Sequence, residues 1–236
     1  MTTPPAALLF DVFGTLVDWR SSIARDVALV LEAHGVDTVD PAAFAASWRA
    51  RYRPALDAVR NGERGFTLLD ILHRENLDAT LEAHGITTPG DDERSWLTAA
   101  WTRLDPWPDV VDGLERLRHH LLLAALSNGS VGMMARLARY ADLRWHAVLG
   151  AQPAGAYKPD PAVYLTAADW LDVEPGACML VAAHAHDTRA AQELGLRTAY
   201  VRRPREYGPD VAAEEPPAEA DLVVDDLGEL ADRLLD

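Results

Sequence analysis

Two hydrophobic patterns divide this chain: short, wholly apolar runs, and longer stretches with apolar residues every third or fourth position. The first run, Leu8-Leu9-Phe10, ends abruptly in Asp11, with Gly14 and Thr15 just beyond. An unbroken apolar run of that length predicts a strand buried on both faces of a parallel sheet. Further short runs at 121–126, 147–149, 178–182, 198–201 and 222–224 predict five more strands. Helical spacing falls between them, at 109–120, 131–140, 161–171, 187–194 and 227–235. Strands alternating with helices imply an α/β fold, a doubly wound parallel sheet with right-handed crossovers. In such sheets ligands meet the carboxyl ends of the strands, which is where Asp11 falls.

Residues 20–103 carry only the helical pattern. Ser21 or Ser22 is a candidate cap for a helix running towards Gly35. Asp40-Pro41 opens a second helix, on which Phe44, Trp48 and Tyr52 recur at helical spacing. Asn61-Gly62 is a turn, a third helix spans about 67–83 before Gly85, and a fourth spans 91–104. The expectation is an all-helical cap, 19–104, inserted into a core made of 1–18 and 105–236, and placed to cover Asp11. Pro106-Trp107-Pro108 marks the return to the core, and the acidic, proline-containing stretch 210–220 reads as a surface loop.

Charge and composition narrow the possibilities. With 236 residues, 49% of them hydrophobic, the chain can bury a full core. A net charge of −15 argues against nucleic acid or an anionic membrane as partner. An anionic substrate would need local positive groups to overcome that field. The lone Cys178 excludes an internal disulfide framework and reads as a small buried hydrophobe. Met1-Thr2-Thr3-Pro4-Pro5 has neither the basic nor the apolar region of a signal peptide, and no run is long enough to span a bilayer. The expectation is a soluble, cytoplasmic protein.

Four polar clusters follow predicted strands. Asp11 with Gly14 and Thr15 is either a reactive carboxylate at a pocket or an ordinary Asx turn. Ser127-Asn128-Gly129-Ser130 offers a hydroxyl, an amide and backbone N–H groups before a helix, which suits an anion and equally suits a plain N-cap. Lys158, between Tyr157 and Pro159, is a restrained positive point or a solvated lysine. His184, His186 and Asp187 have the composition of a metal site, but alternating side chains on an extended segment point apart, so only one histidine need face a pocket. Asp187 caps the next helix, aligns a water, or does both.

Taken together and in this order, Asp-Val-Phe-Gly-Thr-Leu at 11–16, Leu-Ser-Asn-Gly-Ser at 126–130, Tyr-Lys-Pro-Asp at 157–160 and the 180–187 segment resemble the haloacid dehalogenase superfamily. More narrowly, they resemble its (S)-2-haloacid dehalogenase branch. The resemblance covers essentially the whole chain and implies a Rossmann-like core with a helical cap. It implies hydrolysis of short (S)-2-haloalkanoates to (R)-2-hydroxy acids through an aspartyl ester on Asp11, with no metal and no cofactor. Phosphatases of the superfamily carry a second acid two residues after the nucleophile; here that place holds Phe13. By the same resemblance Lys158 orients Asp11, while Ser127 and the backbone N–H groups near Val12 and Phe13 hold the substrate carboxylate. Arg49, Asn128 and Phe66 match halide-side positions, and Thr15, Tyr164 and Asp187 complete the set. Family members are often dimers, and the cap tryptophans read either as interface or as core.

This chain departs from the family pattern in the last motif. Ala182 and His184 stand where a serine and an asparagine are expected, and His186 replaces a tryptophan. His184 either replaces the asparagine in aligning the hydrolytic water or merely bonds Asp187. His186 in the tryptophan position narrows or polarises the pocket, with consequences for chain-length preference. The alternatives are a Mg²⁺-dependent small-molecule phosphatase of the superfamily, another metal-free hydrolase acting next to a carboxylate, and a non-catalytic binding protein that has kept the fold.

Overall fold

The computed structural model describes residues 4–235, so the reading of Met1–Thr3 as leader-free lies outside the described residues, as does Asp236. The chain begins β1 (Ala7–Phe10), β2 (Val17–Asp18), α1 (Trp19–Ala33), α2 (Pro41–Ala50), α3 (Tyr52–Arg60), α4 (Leu69–Ala83) and α5 (Asp91–Thr98). It continues β3 (Asp105–Pro106), α6 (Val110–Arg118), β4 (Leu122–Ser127), α7 (Val131–Ala141), β5 (Ala147–Gly150), α8 (Ala151–Ala154) and α9 (Pro161–Trp170). The last elements are β6 (Cys178–Ala182), α10 (Ala185–Glu193), β7 (Arg197–Val201), β8 (Leu222–Val224) and α11 (Leu227–Leu235).

Six strands form one parallel sheet in the order β5-β4-β1-β6-β7-β8. Every residue of β1 and β6 is buried, as their unbroken apolar sequences require. Cys178 is among them, and burial pushes its thiol up to about 11. Phe10 lies beside Ala125 of β4 and Val181 of β6, so the segments after all three strands leave the sheet at the same edge. Strand order reverses direction on either side of β1, and the crevice at such a switch point is where α/β sheets bind ligands.

Helices α1 to α5 lie between β2 and β3, which pair antiparallel at Val17↔Pro106 and Asp18↔Asp105. Two-residue strands carry no readable period, and the sequence did not predict this pair. Asp18, not Ser21 or Ser22, caps α1: its Oδ1 accepts the Ser21 N–H at 3.0 Å. Asp40 caps α2 as expected, accepting from Ala42 and Ala43. Where one helix was expected from 41 to the turn at 61, two are present, divided at Arg51. Pro54 lacks the N–H that would bond the Ala50 carbonyl, and the chain tightens at Arg51 with an N–H···O bond to Trp48. The fourth predicted helix also stops early, giving way to a 3₁₀ turn at Ala99–Thr102.

The interior of this helical segment is aromatic. Trp19, Trp48 and Trp101 are buried, whereas Trp96 and Trp170 are exposed. His73 stacks on Trp101 with ring centroids 4.1 Å apart and nearly parallel planes. Phe13, the residue that follows the β1 edge, meets Trp101 edge-on at 5.6 Å and thereby joins the two parts of the molecule. Among the described residues no helix is long and apolar enough to cross a membrane.

Candidate active site

β1 ends one residue before Asp11, so a fully buried strand paired on both sides fixes the backbone of that carboxylate. Gly14 has φ +88°, a conformation that favours glycine, and turns the chain so that Thr15 folds back. The Thr15 hydroxyl donates to Asp11 Oδ2 at 2.7 Å and accepts the Ala183 N–H at 2.9 Å, tying the β1 edge to the β6 edge. The other carboxylate oxygen, Oδ1, accepts from Lys158 Nζ at 2.8 Å.

Lys158 bridges two acids. Its ammonium also donates to Asp187 Oδ2 at 2.5 Å, and the remaining Asp187 oxygen accepts from the Tyr164 hydroxyl. All four side chains are buried. The lysine backbone is held as firmly: its N–H donates to Asn128 Oδ1 at 2.9 Å and its carbonyl accepts from Arg60 Nη1 at 2.7 Å. Burial alone would favour neutral groups, but the paired charges outweigh it. The Lys158 ammonium and His184 hold the Asp11 carboxyl well below the usual carboxylate range. Asp11 and Asp187 in turn hold the Lys158 ammonium well above the usual lysine range. Asp11 is therefore an anion at neutral pH, stripped of bulk water and oriented by three donors.

Asp187 sits in the first turn of α10; the N-cap is His184, so the capping role expected of Asp187 is not the one it takes. His184 does not bond Asp187 either. Its Nδ1 lies 3.2 Å from Asp11 Oδ2, and its Nε2 lies 3.1 and 3.0 Å from the two oxygens of Glu206. Both carboxylates can only accept, so the ring carries a proton on each nitrogen. Burial pushes the imidazole down, but the Glu206 and Asp11 charges and their hydrogen bonds prevail and hold it up at about 10. Glu206 is itself buried and also accepts from Trp19 Nε1 at 3.1 Å. Sequence reasoning missed it. It belongs to a loop after β7 with no strand, helix or motif to announce it, and only the φ of Gly14 betrays it. A Cβ at Gly14 would lie 2.1 Å from Glu206 Oε1, so the glycine makes room for the glutamate.

These groups open onto a cavity of about 540 Å³ between the sheet edge and the helices. Asp11, Lys158, His184 and Asp187 form its floor, and Phe13, Asn128 and His186 stand on its walls. Both histidines thus face the same cavity, with ring centroids 5.7 Å apart. The expected opposition fails because the chain turns into α10 directly after His184 instead of staying extended. Arg49, Tyr52 and Arg53 descend from α2 and α3. The Arg49 guanidinium lies over the Tyr52 ring at 4.0 Å and near Trp19 at 5.6 Å, and its buried Nε has no hydrogen-bond partner. Asn128 Nδ2 donates to the Tyr52 hydroxyl at 2.8 Å, linking floor to roof. The 210–220 stretch is more than a surface loop, since Val211 lines the cavity and the Glu214 carbonyl accepts from Tyr200.

Five expected site residues do not line this cavity. Phe66 is outside it, partly exposed and packed on Tyr157 at 5.2 Å between centroids, because it belongs to the connection before α4 and not to the helices overhead. Ser127 is wholly buried, its Oγ accepting the Gly129 N–H at 3.1 Å. The Val12 side chain points into the core, which leaves only its backbone for a ligand. Thr15 and Tyr164 act through Asp11 and Asp187 and are not on the cavity wall. Among the described residues no group of three or more His, Cys, Asp or Glu side chains is disposed to hold a metal ion.

Comparison with known proteins agrees with this arrangement. Residues 5–195 match the family model of haloacid dehalogenase-like hydrolases. The chain is 30% identical over 213 residues to (S)-2-haloacid dehalogenase 4A of Burkholderia cepacia, covering 85% of this chain and 86% of that one. It superposes on the crystal structure of a defluorinating L-2-haloacid dehalogenase with a TM-score of 0.95, at 42% identity and 99% coverage of both chains. It also superposes on the L-2-haloacid dehalogenase of Xanthobacter autotrophicus with chloropropionic acid covalently bound, with a TM-score of 0.82, at 25% identity and 98% coverage of both. This chain therefore belongs to the haloacid dehalogenase-like hydrolases.

Proposed function

We propose that this protein hydrolyses short (S)-2-haloalkanoates to (R)-2-hydroxy acids through an ester on Asp11. The observation that carries this reading is the state of Asp11: a desolvated anion, oriented by Lys158, Thr15 and His184, that faces a cavity also lined by Arg49, whose buried Nε has no hydrogen-bond partner. An oriented carboxylate attacks a saturated carbon from behind, its C–O bond forming as the carbon–halogen bond breaks and the electron pair leaves with the halide. Arg49 and Asn128 receive that halide. Arginine suits the task because it offers several N–H donors and does not surrender its charge.

The substrate carboxylate rests against the backbone N–H groups of Val12 and Phe13. Water then adds to Cγ of Asp11 with His184 next to it, and the C2 alcohol departs. Inversion at C2 follows from rear attack, because the second step leaves the C2–O bond intact. Relatives named (S)-2-haloacid dehalogenase and a neighbour holding chloropropionic acid covalently support this chemistry, and a neighbour named as defluorinating places fluoride among the halides to be tried. The geometry of the site does not favour the phosphatase. Its general acid would stand where Phe13 is, and the Lys158 ammonium fills the space between Asp11 and Asp187.

Halide release from L- and D-2-chloropropionate, chloroacetate and fluoroacetate, followed by ion chromatography with an Asp11→Asn control, tests the proposal. The expected result is release from the L enantiomer and the acetates, insensitive to EDTA and abolished in the control. A Mg²⁺-dependent phosphatase activity with no halide release would overturn it.

A further inference from the structure

Glu206 has no assigned part in this chemistry, yet it is buried against the ring that stands beside the nucleophile. His184 lines the large cavity, and Glu206 lines a second, smaller one of about 120 Å³, together with Arg203 and Tyr200. The imidazole thus sits between two carboxylates, with Nδ1 towards Asp11 and Nε2 towards Glu206. The carboxylate cannot move away: Trp19 Nε1 donates to Oε1, and the backbone of Gly14 lies against it. Its loop is pinned by Arg203, which donates through Nε to the Thr15 carbonyl at 2.8 Å and through both terminal nitrogens to Asp109.

We infer that Glu206 is a positioning residue for ester hydrolysis: it retains the Nε2 proton of His184, so that the lone pair of the neutral ring lies on Nδ1, aimed at the water that attacks Cγ of Asp11. The inference rests on the dehalogenase reading above. In the free enzyme two carboxylates keep the ring doubly protonated. Esterification turns Asp11 into a neutral group, and one of the two anions that held the extra proton disappears. The imidazolium then releases its Nδ1 proton to the water of the large cavity, while Glu206 keeps the Nε2 proton in place; this matches the one acid equivalent formed with each halide.

The freed Nδ1 takes a proton from water as the water oxygen bonds to Cγ. When the bond from Cγ to the ester oxygen breaks, that proton leaves with the alcohol, and the second water proton returns the ring to its doubly protonated state. Asp11 regains its charge. The arrangement uses the general logic by which a carboxylate selects the tautomer of a catalytic histidine.

The test is single turnover of (S)-2-chloropropionate by wild type and by Glu206→Gln, with halide followed by ion chromatography and the protein by intact mass. The expected result for Glu206→Gln is one equivalent of chloride released at close to the wild-type rate. The mass of the ester then accumulates, and its hydrolysis is slowed at least tenfold. Because the remaining carboxylate charge beside His184 is gone, the acid limb of the hydrolysis step should also move at least one pH unit lower. Glu206→Asp, which keeps the charge, restores the limb towards wild type and serves as the second variant should the glutamine protein not fold. Equal slowing of both steps, or ester hydrolysis with unchanged rate and pH limb, overturns the role of Glu206. Absence of any chloride burst in the wild type overturns the dehalogenase reading instead.

Discussion

Lys158 Nζ lies 2.8 Å from Asp11 Oδ1, an ion pair formed between two side chains that are both buried. Removing its cation leaves Asp11 with His184 as its remaining counter-charge and Asp187 with only the Tyr164 hydroxyl. Breaking a buried pair from one side costs about 3–5 kcal/mol in comparable settings. Lys158→Met should therefore lower unfolding free energy by that order at pH 7, with less loss at acid pH, where the carboxylates take up protons. Halide release should fall at least about 100-fold, since the nucleophile loses the donor that orients it. Urea unfolding at two pH values, beside ion chromatography, checks both.

Arg49 meets the cavity as a planar cation over Tyr52. A lysine there keeps the charge and loses the fork and the stacking. Arg49→Lys should lower kcat for chloride release about tenfold or more with a smaller change in KM, and weaken inhibition by added halide. A KM effect alone would place Arg49 in ground-state binding and not at the leaving group.

Phe66 divides the family resemblance from the geometry. Its position outside the cavity, against Tyr157, predicts that Phe66→Ala keeps kcat/KM within about twofold and costs about 1 kcal/mol of stability for lost packing. Steady-state chloride release beside thermal unfolding decides the matter; a tenfold loss of turnover would return Phe66 to the halide pocket.

Two histidines give stability opposite pH slopes. His184 is held up at about 10 against an ordinary 6.5, so its contribution is complete below about pH 6.5 and is lost as pH rises through about 10. His184→Asn should flatten the alkaline decline. His73 is the reverse case. It is buried, with neither ring nitrogen hydrogen-bonded, and burial and Arg49 hold it well below 6.5. The unfolded chain binds the proton that native His73 refuses, so stability falls as pH drops below about 6.5. His73→Phe keeps a ring against Trp101 and should remove that part of the acid decline. Unfolding free energies from pH 4 to 10 for the three proteins test both signs.

Much of this was legible in sequence. The strand at 178–182 matches the observed bounds because an unbroken apolar run signals burial on both faces; the run at 222–224 also matches, as a partly buried edge strand. The order of polar clusters placed Asp11, Lys158 and Asp187 in one family pattern, which the structure gathers around a single ammonium. Other features had no local signal. Glu206 acts through a loop contact, β2 and β3 are too short to show a period, and Pro54 divides a helix whose apolar spacing continues across the break. Phe66 and Ser127 show the converse, since a motif position carried over from a family does not say which way the side chain faces here.

The pairing of Val17 with Pro106 and Asp18 with Asp105 brings together the two points at which the chain leaves and rejoins the sheet. A single seam therefore separates floor from roof. Recombination between relatives at that seam can exchange the helices bearing Arg49 and Arg53 while the bonds around Asp11 stay intact, so leaving-group preference and chain length can diversify faster than the chemistry beneath them.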